Sequence, residues 1–183
     1  LKDEFNISII IDEVSAGFGR TRNNFAFHDY NLTPDFVCMA KAITGGYIPF
    51  GAVWTSKKIS EYYENQVLNC GLTNYAHPLG LAAMKGVLDH FDDKDFRIHL
   101  SELSKVFLNE LEIIKKSSYV KEIRVKGLLA TIILNNKKIS WEDGLKAGIH
   151  IAVKENMIVL APPFVMNIDE LKEGMKRLRE IIL

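Results

Sequence analysis

Cysteine is nearly absent from this sequence: there are two in 183 residues, Cys38 and Cys70, set far apart. That scarcity excludes a disulfide-stapled secreted scaffold, and the spacing is not that of a metal site, so no metal is expected. A reducing, cytoplasmic setting follows. An excess of either charge is also missing. Lys and Arg number 23, Asp and Glu number 23, and no block of like charge exceeds two or three residues. Such a balance argues against nucleic acid or an anionic membrane surface as the main partner. No apolar run approaches the roughly 20 residues that span a bilayer. Nothing at the start looks like a signal peptide, and there is no internal repeat or low-complexity segment. An initiator methionine is lacking too. The sequence opens within a helical stretch, LKDEFN, and reads as the inside of a larger protein.

Apolar residues are plentiful, at 48%, enough for the core of one domain or two small ones. Residues 7–11 read as a buried strand of a parallel sheet, and the Gly17/Gly19 segment after it as a loop. Residues 36–40 (FVCMA), introduced by the turn signal Thr33-Pro34-Asp35, and residues 51–55 (GAVWT) read as further strands. Leu81, Met84, Leu88 and Phe91 recur at helical spacing after Pro78, as do Leu100, Leu103, Phe107, Leu111 and Ile114. The first part is therefore expected to be α/β with a largely parallel sheet.

The tail differs. Residues 120–125 and 128–134 read as strands around Gly127, residues 139–156 as a helix, and residues 157–160 as a strand stopped by Pro162-Pro163. Ile168, Leu171, Met175, Leu178 and Ile182 line one stripe of a last helix, with Asn167 as N-cap and Glu170 three residues on. These elements predict a separate small α+β domain, residues 96–183, after a first part of residues 1–95.

Chemistry concentrates at two strand ends. In IIIDEVSAGFGRT, residues 9–21, the carboxylates Asp12 and Glu13 end an apolar run, where a charge is costly unless paired. Lys41 follows FVCMA directly and precedes Ala-Ile-Thr-Gly-Gly. A lysine and a carboxylate so placed could form a structural ion pair. Gly17, Gly19, Gly45 and Gly46 instead suggest room for a ligand's close approach, and the carboxyl ends of strands in open α/β sheets are where ligands bind. A lysine amine that forms a Schiff base, with an acid that keeps a ring nitrogen protonated, is the equipment for pyridoxal phosphate.

At this point the sequence resembles the class III aminotransferases, subgroup II enzymes of pyridoxal-phosphate fold type I. The matching words are IIIDEVSAGFGRT, Pro34-Asp35, MAKAITGGYIPFGAV, GLTNYAHPLGLAA and APPFVMNIDEL, in the family's order. The resemblance covers almost the whole chain but only part of the family's length. It implies the second half of the large cofactor-binding domain (residues 1–95) followed by the small C-terminal domain (residues 96–183). It implies a transaminase moving an amino group between an amino acid or ω-amine donor and a keto acid acceptor. Lys41 would be the Schiff-base lysine and later a proton shuttle. Asp12 would partner the pyridine nitrogen, and Val14 would pack on a ring face. Thr73 would donate to the cofactor phosphate of the neighbouring subunit in a homodimer. The resemblance gives Glu13 a structural role; Arg20 and His77 are conspicuous in the motifs, with no chemistry assigned to them beyond loop anchoring and helix-start packing.

There are departures. Ser15 stands where several members carry a glutamine that reaches the ring hydroxyl. Residues 159–163 (Val-Leu-Ala-Pro-Pro) lack the arginine with which many members bind a substrate carboxylate. The family's Gly-Ser/Thr phosphate cradle is not in the sequence. Two further readings therefore stand beside the transaminase: an inactive fragment serving as a structural or interaction module, and another fold type I activity such as aminomutase, racemase or decarboxylase.

Overall fold

The apolar run that ends at Asp12 forms only a short strand. In the computed structural model, which describes residues 2–183, helix α1 spans Lys2–Phe5 and strand β1 spans Ile10–Asp12. Strand β2 is Phe36–Met39 and β3 is Ala52–Thr55, followed by helices α2 (Lys57–Tyr63) and α3 (Pro78–Phe91). The strand order is β1-β2-β3. β1 runs parallel to β2 with Asp12 opposite Cys38, and β3 pairs antiparallel with β2. The class is α/β as expected, and the three strands form one parallel and one antiparallel pair.

Two expectations about this part are corrected. Residues 7–11 are not buried: Ile7 is exposed and Ile10 keeps 65% of its surface. The reason is that β1 is an edge strand among the described residues, flanked by β2 alone. The stripe on α3 is likewise half out of the core, with Leu81 and Leu88 exposed and Phe91 buried. Its anchor is Gly80, because a Cβ there would stand 2.2 Å from the Phe50 ring. The core here is Phe18, Val37, Ile43 and Phe91, with Phe18 edge-on to both Phe25 and Phe91.

Helix α4 (Lys94–Ile114) leads into strands β4 (Val120–Lys126) and β5 (Leu129–Leu134), helix α5 (Trp141–Lys146), strands β6 (Ala152–Lys154) and β7 (Met157–Leu160), and helix α6 (Ile168–Ile182). The sheet is antiparallel throughout, in the order β4-β5-β7-β6. Leu100, Leu103, Phe107, Leu111 and Ile114 of α4 are buried as the spacing predicts, and so are Leu171, Met175, Leu178 and Ile182 of α6. Along β5, Ala130, Ile132 and Leu134 alternate inward. Asn167 and Glu170 form the expected capping box.

The expected helix over residues 139–156 is overturned. Ser140 starts α5 with a capping box of its own to Asp143, and the helix stops after Lys146. Gly148, at φ +75°, turns the chain out of the helix. Ala152 to Lys154 then form β6, which hairpins onto β7 through Glu155 and Asn156. Ile149, Ile151 and Val153 alternate along this segment as on a strand, Ile151 is buried, and Val153 pairs with the buried Ile158 of β7.

By internal contacts the chain divides into two compact units. One consists of Leu1–Gly19 and Asn23–Phe96, the other of Arg20–Arg22 and Arg97–Leu183. No helix among the described residues is long and apolar enough to cross a membrane.

Candidate active site

The end of β1 is shaped by its two carboxylates in different ways. Asp12 is exposed, and its Oδ1 accepts a hydrogen bond from Val14 N at 2.9 Å, an Asx turn that bends the chain away from the sheet. Glu13 is buried at 1% exposure. Its backbone N–H donates to Cys38 O and its carbonyl accepts from Gly17 N, while Oε1 accepts from Phe27 N at 2.9 Å. Glu13 Oε2 is buried without a partner among the described residues. Gly17 is required in this turn, since a Cβ would lie 2.9 Å from Glu13 O. Glu13 therefore braces the loop.

Lys41 leaves the end of β2 in the left-handed region, at φ +52°, and starts a 3-10 turn, Lys41–Thr44. For a lysine this backbone is uncommon and costs about 1 kcal/mol or more. The turn closes through Thr44, whose hydroxyl donates to Ile48 O. Gly45 and Gly46 follow with φ of +60° and +82°, and a Cβ on Gly46 would meet nothing within 4 Å. The exposed Lys41 amine donates to Ser15 Oγ at 2.6 Å. Among the described residues neither Asp12 nor Lys41 enters an ion pair, so the structural-pair alternative does not describe this site.

The structure thus brings Asp12, Val14 and Lys41 to one pair of strand ends, with Ser15 as the residue that joins them. Sequence reasoning had marked Ser15 only as a departure. Thr73 lies elsewhere in this unit, in the exposed, irregular segment of residues 64–77, and makes no hydrogen bond among the described residues. His77 accepts from Leu79 N and so caps α3. In the second unit Arg20 donates from Nη1 to Leu128 O at 3.1 Å and Pro162 O at 2.7 Å, with its guanidinium 4.1 Å above the Phe164 ring. Burial lowers its pKa to about 10, so it remains charged at neutral pH. No group of three or more His, Cys, Asp or Glu side chains among the described residues could hold a metal ion.

An accessible primary amine, a carboxylate with Oδ2 left to accept, and open space at Gly46 together suit an aldehyde cofactor with a basic ring nitrogen. The donor set fits pyridoxal phosphate.

A tomato (Solanum lycopersicum) gamma aminobutyrate transaminase 2 is 33% identical over 93% of this chain and 41% of its own length. An adenosylmethionine-8-amino-7-oxononanoate aminotransferase of Helicobacter pylori is 30% identical over 97% of this chain and 44% of its own. Among solved structures, a taurine:2-oxoglutarate aminotransferase from Bifidobacterium kashiwanohense, in complex with PLP and glutamate, superposes with a TM-score of 0.91 at 30% identity. That match covers 99% of this chain and 45% of the other. The chain therefore spans less than half the length of these relatives and carries the fold of the pyridoxal-phosphate fold type I transaminases. The sequence profile described as Aminotransferase class-III matches residues 1–182, and the chain belongs to that family.

Proposed function

We propose that the protein containing this chain is a pyridoxal-phosphate-dependent transaminase, moving an amino group from an amino acid or ω-amine donor to a keto acid acceptor. The observation that carries this reading is the Lys41 amine, exposed at the end of β2 and turned onto the loop that bears Asp12. The family membership and the transaminase names of the relatives support it.

When bound, pyridoxal phosphate supplies a sink for the electron pair left on the substrate carbon as that carbon loses its proton. The chain's own residues do the rest. Lys41 Nζ would hold the cofactor aldehyde and, when free, would take up the substrate proton and give it back. Asp12 lends a negative charge that favours a protonated ring nitrogen. Val14, in the turn that follows Asp12, offers an apolar surface to the ring. Thr73 would donate its hydroxyl to the phosphate held by a second copy, in a homodimer. The free thiols of Cys38 and Cys70 suit a cytoplasmic location.

The test is covalent trapping. The full-length protein, incubated with pyridoxal phosphate and reduced with borohydride, should carry the label on the peptide containing Lys41. Lys41→Ala should lose the label and keep the fold. A label that persists in the variant would move the bond elsewhere, with Lys57 and Lys58 the next lysines in sequence.

A further inference from the structure

We propose that Ser15 is the positioning residue of the Lys41 amine, holding it at a fixed point whenever it is not bonded to carbon. This rests on the transaminase reading above. An exposed lysine ordinarily samples many rotamers, and fixing its side chain costs rotamer entropy. Here the amine is engaged by a partner, 2.6 Å away at Ser15 Oγ, across 26 residues of sequence.

Both ends of that contact are held in place. Lys41 issues from a left-handed backbone position, which restricts the directions its side chain can take. Ser15 lies within the loop braced by Glu13 and Asp12. Gly17 N donates to Glu13 O, Glu13 Oε1 accepts from Phe27 N, and Asp12 Oδ1 accepts from Val14 N. The hydroxyl is then a fixed point on the same loop that carries the acid.

The chemistry of a hydroxyl suits this task. It accepts a hydrogen bond from an ammonium and donates one to a neutral amine, so it serves Lys41 in both protonation states. A group that takes a proton from a substrate carbon must return to the same position in each cycle, because proton transfer falls off steeply with misplacement. Ser15 is neither donor nor acceptor of the transferred proton. It sets where Lys41 Nζ stands.

Three full-length proteins test this: wild type, Ser15→Ala and Ser15→Thr. The first readout is the rate at which cofactor-free protein, mixed with pyridoxal phosphate, acquires borohydride-stable label on Lys41. Ser15→Ala should be slower by about 3- to 10-fold, the weight of one hydrogen bond, and Ser15→Thr within about 2-fold of wild type. The second is turnover of α-deuterated against ordinary amino donor in loaded protein. Ser15→Ala should lower kcat, leave the donor KM unchanged and raise the isotope effect, and Ser15→Thr should restore all three. If Ser15→Ala matches wild type in both readouts, or if Ser15→Thr is impaired as much as Ser15→Ala, the proposal is overturned. If wild type itself gains no label on Lys41, the transaminase reading fails and this proposal falls with it.

Discussion

Arg20 and Leu128 hold each other through their backbones and one side chain: Leu128 N donates to Arg20 O at 2.8 Å, and Arg20 Nη1 donates to Leu128 O at 3.1 Å. The pairing is possible because Gly127 beside it has no side chain. A Cβ there would lie 2.6 Å from Arg20 O and 2.7 Å from Arg22 N, and the residue sits at φ +58°. Gly127→Ala should therefore cost about 3 kcal/mol, from the left-handed backbone and the overlap together. Arg20→Ala should cost about 2 kcal/mol, through lost charge-assisted hydrogen bonds and lost stacking on Phe164. Thermal midpoints check both, and an unchanged midpoint for Gly127→Ala would mean that the loop moves aside freely.

Asp12→Asn tests the acid. The amide keeps an oxygen for Val14 N, so the turn survives while the negative charge goes. Cofactor binding should weaken modestly, because the covalent bond proposed for Lys41 would remain. Proton removal from the substrate should slow by at least about 10²-fold, the low end for losing one preorganised electrostatic group. Single-turnover loss of the bound cofactor's visible absorbance after adding donor measures this. Equal rates would make Asp12 a structural carboxylate.

Glu13 separates hydrogen bonding from charge. Glu13→Gln keeps an acceptor for Phe27 N and the side-chain shape, and should change stability by no more than about 1 kcal/mol. Glu13→Ala leaves that N–H unpaired beside a cavity and should cost about 2–4 kcal/mol. Urea midpoints decide. A glutamine as costly as alanine would reveal that the charge itself has a partner.

Asp35 should make the fold acid-sensitive. Its carboxyl is held below the usual carboxylate range by the backbone N–H of Ile9, with further help from Lys2. Because the folded value is the lower one, the contribution is complete above the unfolded value of about 3.9 and is lost as pH falls through the folded value. As pH falls below about 4 the thermal midpoint of wild type should drop more steeply than that of Asp35→Asn. Parallel slopes would show that other carboxylates govern acid unfolding.

The long amphipathic helices were legible because periodicity reports burial directly: α4 and α6 bury the residues their spacing names, and Asn167 caps as its partner Glu170 suggests. Residues 139–156 misled because two periods follow each other there: Trp141 and Leu145 are spaced as on a helix, whereas Ile149, Ile151 and Val153 alternate as on a strand. The informative signs there were Ser140 with Asp143, and Gly148, which end a helix six residues after it starts. The run at residues 7–11 misled in a different way, since apolar composition says that a residue can be buried and not whether a neighbouring strand lies beside it. Lys41 stood out in the sequence through its place between a strand and two glycines. Its contact with Ser15 did not, because nothing local links residues 26 apart.

Residues 20–22 have a consequence for inheritance. They belong to the second unit although the first unit flanks them on both sides, so that unit is not one continuous cassette. A recombination event that exchanged residues 97–183 alone would leave the guanidinium behind while replacing the carbonyls of Leu128 and Pro162 and the ring of Phe164 that receive it. Tails should therefore be exchangeable only between relatives whose FGR loop fits the same three receivers. Across the family, substitutions at position 20 should be accompanied by changes at positions 127–128 and 162–164.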